Sequence, residues 1–136
     1  MIKKSFVKSK TSTSGKDSSN LVDIIINSIL EKKGNDLVSL DLRKTEGAIC
    51  DNFIICHGNS NTQVRAIADF IIEEVKKLSG SNPWKKEGFE NMQWILIDYV
   101  DIVVHVFQAE ARAFYDVEGM WADADVTSYN EKRKAV

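Results

Sequence analysis

The hydrophobic positions of this chain follow two periodicities, and the switches between them mark its elements. Leu21, Ile24, Ile25 and Ile29 recur at helical spacing, which predicts a helix from about residue 20. Ser19 or Asn20 is placed to cap it, and Gly34 after Lys32-Lys33 to stop it. Leu37, Val38, Leu40 and Leu42 predict a strand over 36–42, followed by a loop over 43–48 that contains Gly47. The run Phe53-Ile54-Ile55-Cys56 within 49–56 reads as a strand buried on both faces. His57-Gly58-Asn59-Ser60-Asn61 then turns the chain into a second helix, where Ser60 and Gln63 form a capping-box pattern.

That second helix has the clearest pattern in the chain. Val64, Ile67, Ala68, Ile71, Ile72, Val75 and Leu78 fall on one face, and the 79–83 segment with Gly80 and Pro83 ends it. Residues 84–92 have the composition of a short edge strand, protected by Pro83 and lysines. Two apolar strands follow at 93–98 and 101–107, separated by Tyr99-Val100. A primed hairpin turn would force positive φ on Tyr or Val, so an irregular or shifted turn is expected. A short helix over 108–116 and a further helical turn over 117–124 complete the pattern, with fraying expected from Val126. The order predicts an α/β fold, a single mixed sheet flanked by helices. Residues 1–18 read as a disordered basic extension, 19–125 as the one folded domain, and 126–136 as a flexible tail.

Charge narrows the choice of partner. The chain carries −2 overall, but residues 1–17 sum to +4 and 131–134 to +2, which leaves −8 for 18–130. A domain that acidic repels phosphate, so specific nucleic-acid binding by its face is not expected and a basic protein is the expected partner. The longest apolar runs fall far short of the roughly 20 residues of a membrane span, so no membrane insertion is expected. Cys50 and Cys56 lie beside or inside apolar runs with no secretory segment before them, which fits a reduced, cytoplasmic protein. The Lys/Ser/Thr-rich start has the composition of some transit peptides but lacks Arg, and a disordered extension is the default reading.

The candidate chemistry is sparse. The turn at Gly58–Ser60 before a helix has the form of an anion or nucleotide site. A nucleotidyl-transfer enzyme would also need a carboxylate pair on the next strand to hold Mg²⁺. The nearest sequence, Asp69-Phe70-Ile71, lies inside the helix and has no second carboxylate. That turn is therefore read as a structural cap, and nucleotide binding remains the alternative function. Cys50, Cys56, His57 and His105 lack any zinc-ligand spacing, so no metal or cofactor is expected. His105, between Val104 and Val106, is read as a hydrogen-bonded structural residue on the face of Val103 and Phe107. No catalytic set is legible, and the chain is not read as an enzyme.

Acidic and aromatic residues interleave between Trp94 and Asp123: Asp98, Asp101, Asp116, Glu118 and Asp123 among Trp94, Tyr99, Phe114, Tyr115 and Trp121. Rings supply contact area and carboxylates steer a basic partner. On the 108–116 helix, Glu110 and Phe114 share one side with Val117, and Arg112 and Tyr115 another. Phe114 is expected mostly in the core, with Trp94, Tyr115 and Trp121 at the interface. Asp98 and Asp101, flanking the turn, fit ion pairing better than catalysis because no nucleophile or base accompanies them.

The segments Asp51-Asn52-Phe53-Ile54-Ile55-Cys56-His57-Gly58-Asn59-Ser60, VRAIAD from Val64, WILID from Trp94, DIVVHVF from Asp101 and RAFYDVEGMW from Arg112 together resemble the Iojap-like ribosomal silencing factor family. The resemblance runs from about Asn20 to Ala124. It implies a nucleotidyltransferase-like fold without the catalytic carboxylates. It further implies binding to the large ribosomal subunit through its protein numbered fourteen, which blocks joining of the small subunit and represses translation under nutrient limitation. A homodimer when free is also implied, and Trp94, Asp98, Asp101, Tyr115 and Trp121 match the family's partner-binding positions. The sequence departs from the family pattern at His57, usually Thr, at the hairpin turn near Val100, usually Gly, and at Val117 and Met120, usually Leu.

Overall fold

The computed structural model describes residues 15–130, with side chains from Asn20 onward. The elements run α1 (Gly15–Glu31), β1 (Asn35–Asp41), β2 (Asn52–Gly58), α2 (Asn61–Ser79), β3 (Lys85–Glu87), β4 (Trp94–Asp98), β5 (Ile102–Gln108), α3 (Ala109–Tyr115), α4 (Val117–Met120) and β6 (Asp125–Ser128). The six strands form one sheet in the order β3-β4-β5-β2-β1-β6. Only the central β2–β5 pair is parallel, in register from Asn52 opposite Ile102 to Gly58 opposite Gln108. The other pairings are antiparallel, so the sheet is mixed.

Each face of the sheet has its own core. Ile54, Cys56, Ile95, Ile97, Val104 and Val106 face α1 and α2, against Ile25 and Ile29 of the first and Val64, Ile67, Ala68, Ile71 and Val75 of the second. The opposite face carries Leu40, Phe53, Ile55, Val103 and Phe107, with Val117 and Trp121 laid over it. The strict side-chain alternation of β5 puts His105 on this second face.

The end signals of α2 act as read, whereas Ser19 and Asn20, expected to cap α1, lie inside it because it begins at Gly15. Ser60 Oγ accepts from the Gln63 backbone N–H at 3.1 Å, Gln63 Oε1 accepts from the Asn59 N–H at 2.8 Å, and Gly80 closes α2 at φ +77°. Lys76 and Lys77 in the last turn complement the helix dipole. The buried stripe of α2 ends at Val75, and Leu78 is exposed.

Three further expectations need correction. The tail expected to fray from Val126 instead forms β6 over 125–128, which pairs with β1 from Val38 opposite Ser128 to Asp41 opposite Asp125. Tyr129 anchors it, its N–H donating to Leu37 O at 3.0 Å and its hydroxyl lying 3.1 Å from Ser39 Oγ. The boundary of the basic extension also moves, because 15–18 already belong to α1; residues 1–14 and 131–136 of the expected extension and tail lie outside the described residues. Phe114, expected mostly in the core, is 80% exposed. The division of α3 into two sides is right, but the side of Arg112 and Tyr115 faces the sheet. These two lie three residues apart on one face, and Phe114, two residues from Arg112, points away.

The hairpin turn is irregular, as its residues predict. Tyr99–Asp101 spans it, with the Asp101 N–H donating to Tyr99 O at 3.0 Å and Val100 held at φ +77°. This is a γ-turn with a β-branched residue at its centre, a strained arrangement.

Candidate partner-binding face

The second face of the sheet can be read as three rows across the strands. Trp94, Phe107 and His57 form the row nearest the start of α3; Leu96, His105 and Ile55 the middle row; Asp98, Val103 and Phe53 the third. After β5, the α3–α4 segment folds back over these rows, placing Tyr115 against Trp94 and Trp121 against Phe53. The segment is thus a bridge lying on an aromatic floor.

The floor is continuous. Trp94 stacks on Phe107 with centroids 5.0 Å apart and meets Tyr115 at 4.9 Å. Phe53 packs edge-on against His105 at 4.5 Å and against Trp121 at 6.0 Å. His105 links the two ends: its Nδ1 accepts the Trp94 indole N–H at 3.1 Å. That bond leaves Nδ1 without a proton, so the neutral ring carries its hydrogen on Nε2, which is buried without a hydrogen-bond partner. Burial pushes the His105 pKa down to about 3, and the ring is uncharged at neutral pH.

Among the residues expected at the interface, Trp94, Tyr115 and Trp121 come together on this face, partly to largely accessible. Asp98 and Asp101 stand at the turn end of the hairpin, four strand positions and so about 13 Å from Trp94 in the case of Asp98. Asp98 is buried, and its Oδ1 accepts the Val100 N–H at 2.7 Å, so its carboxylate braces the γ-turn. The Asp101 carbonyl accepts from the N–H groups of Asp51 and Asn52, tying the turn to the start of β2. Tyr99, interleaved with these in sequence, belongs to the opposite core; burial raises its pKa.

Other members of the face are visible only in three dimensions. Leu96 lies between Trp94 and Asp98 on β4, and a groove of about 320 Å³ runs over it, lined by Glu87, Gly88, Asn91, Gln93, Trp94 and Tyr115. Phe114 and Met120 stand exposed on the outer side of the bridge. Strand alternation carried the signal for Leu96; no local pattern reports the orientation of Phe114. Asp116 turns the chain between α3 and α4 at φ +47°, its Oδ1 accepting the Gly119 N–H at 3.2 Å. A Cβ at Gly119 would meet that carboxylate, which would have to swing aside and give up this bond.

The nucleotide alternative finds no support in the geometry. Both side chains of the capping box are engaged within the turn, and a Cβ on Gly58 would already crowd the Val64 N–H at 3.1 Å. No cluster of three or more His, Cys, Asp or Glu suited to a metal occurs among the described residues. Cys56 is fully buried with its thiol pushed up to about 12, and Cys50 is raised to a similar value by burial and the neighbouring Asp98 and Asp51. Neither is an activated nucleophile. No described helix is long and apolar enough to cross a membrane.

A family model described as ribosomal silencing factor during starvation matches residues 15–136. The chain belongs to the ribosomal silencing factor family. Ribosomal silencing factors from Halalkalibacterium halodurans and Bacillus subtilis are 42% and 40% identical to it, over 76% and 69% of this chain and 87% and 78% of theirs. A mouse protein named for mitochondrial assembly of the ribosomal large subunit is 24% identical, over 74% of this chain and 44% of its own length. The fold matches a crystal structure from Chromobacterium violaceum with a TM-score of 0.72 at 32% identity, covering 76% of this chain and 85% of that one. A second, from Bacillus halodurans, gives 0.67 at 37% identity, covering 76% and 94%. In this member of the family the bridge and its floor are built from Trp94, His105, Phe107, Phe53, Tyr115 and Trp121.

Proposed function

We propose that this chain is a non-catalytic translation repressor. It binds the large ribosomal subunit through its protein numbered fourteen, blocks joining of the small subunit, and so lowers translation under nutrient limitation. It acts in the cytoplasm, and the free protein is a homodimer. The observation that carries the reading is the second sheet face, where Trp94, Tyr115 and Trp121 lie on one surface, with the turn of Asp98 and Asp101 at the far end of β4 from Trp94. Accessible rings on a domain of charge −8 suit a basic protein surface, and disfavour bare RNA. The mouse relative's name supports the large subunit as the place of action.

The test is co-sedimentation of the purified full chain with isolated large subunits, paired with a subunit-joining assay. Retention that weakens with salt and inhibition of joining are expected, both lost in Trp121→Ala and Asp101→Lys. A chain that neither sediments with large subunits nor slows joining sinks the reading. Cross-linking to the protein numbered fourteen checks the contact, and sedimentation of the free chain checks the dimer.

A further inference from the structure

The bridge that carries Tyr115 and Trp121 is thinly anchored. None of the seven residues of α3 is buried, and α4 buries only Val117. A helix that short has little stability of its own, so its place depends on tertiary contacts. The most connected of these is Arg112, whose side chain is only 11% exposed. Its Nη2 donates to Glu118 Oε2 at 2.6 Å and its Nε to the same oxygen at 3.2 Å, joining α3 to α4. Its Nη1 donates to Asn35 O at 3.3 Å and points at His57 Nδ1 at 3.0 Å, joining α3 to β1 and β2.

Guanidinium has no acceptor, so His57 Nδ1 must present a lone pair to it. The His57 arm of the clamp therefore holds only while His57 is neutral, and the Asn35 carbonyl at 3.3 Å is then the one remaining bond from Arg112 to the sheet. Protonation converts the acceptor into a donor and sets a second cation against Arg112. The charged groups around His57 are Arg112 from α3, Glu118 from α4 and Asp36 from β1; its register neighbours, Asn35 on β1 and Phe107 on β5, carry no charge. Glu118 is already engaged by Arg112, which limits how far it can offset the new charge. Partial burial and the Arg112 charge both favour the neutral ring.

We infer that Arg112 is the positioning residue that holds the Tyr115–Trp121 bridge on the sheet, and that its bond to His57 makes this hold reversible by acid. At neutral pH the bridge is docked and the aromatic face is formed. In mild acid the His57 contact is lost, the bridge loosens while the rest of the fold persists, and the face loses its partner. The consequence for binding rests on the function proposed above; the loosening itself does not.

Backbone amide exchange over 109–121 of the full chain tests this, at about pH 7.5 and about pH 5, with His57→Asn as the reference because it shares the acid sensitivity that His105 gives the whole fold. In the native chain the 109–121 protection should fall about tenfold more on acidification than in His57→Asn, which keeps an oxygen where Nδ1 stood and cannot take up the proton. Arg112→Gln should show low protection over 109–121 at both values, with α2 still protected. The inference is overturned if the native chain and His57→Asn lose the same protection. Co-sedimentation with large subunits should follow the same pattern. No sedimentation even at pH 7.5 defeats the proposed function, and the exchange arms still decide the clamp.

Discussion

The indole N–H of Trp94 is donated to Nδ1 of His105 across the β4–β5 pair at 3.1 Å. The bond orients the Trp94 ring between Phe107 and Tyr115, and it fixes His105 in the tautomer whose Nε2–H is buried without a partner.

His105 gives the fold a sensitivity to acid. Its folded pKa lies near 3, below the ordinary 6.5, so the unfolded chain takes up the proton first as pH falls. His105's contribution to stability is whole above about 6.5 and is lost progressively down to about 3, at roughly 1.4 kcal/mol per unit. Urea midpoints should decline across that window. In His105→Phe the decline should be shallower, while at neutral pH the loss of the Trp94 bond is offset by removal of the unpartnered Nε2–H, leaving stability within about 1 kcal/mol of the native chain.

Val100 stores strain at φ +77° in the γ-turn. Glycine adopts that geometry freely, so Val100→Gly should stabilise the protein by about 1 kcal/mol despite the extra freedom of the unfolded chain. A lower melting temperature for this variant would contradict the turn described above.

Asp98 has two separable features, its acceptor oxygen and its charge. Asp98→Asn keeps an oxygen for the Val100 N–H and should stay within about 0.5 kcal/mol of the native chain. Asp98→Ala leaves that N–H unsatisfied and should cost about 1–3 kcal/mol. If the carboxylate also steers a basic partner, Asp98→Asn slows association without changing the denaturation midpoint.

Phe114 and Met120 are exposed and contribute little to the core. Phe114→Ser and Met120→Ser should each change stability by less than about 0.5 kcal/mol. A loss of large-subunit retention in either would extend the interface to the outer side of the bridge; unfolding in either would show that these side chains are packed.

Much of the architecture was legible because it depends on local periodicity. The i, i+3, i+4 stripe of α2, the Ser60–Gln63 cap and the doubly buried β2 required nothing from distant residues. The strand 125–128 was not legible: Val126 and Thr127 favour a strand, but four residues are too short to show alternation, and they become one by pairing with β1 and seating Tyr129. The Arg112–His57 contact joins residues 55 apart, a separation that no local pattern reports.

By itself the sequence determined which residues share a side of each element, because 100° and 180° turns per residue are properties of the local backbone. It therefore put His105 with Val103 and Phe107, and Arg112 with Tyr115. Which side of a short helix faces inward is a competition between burying Phe114 and engaging Arg112 with Glu118, His57 and the Asn35 carbonyl. That outcome depends on polar partners brought in from β1 and β2, and only the tertiary structure decided it, leaving Phe114 in solvent and Tyr115 on Trp94.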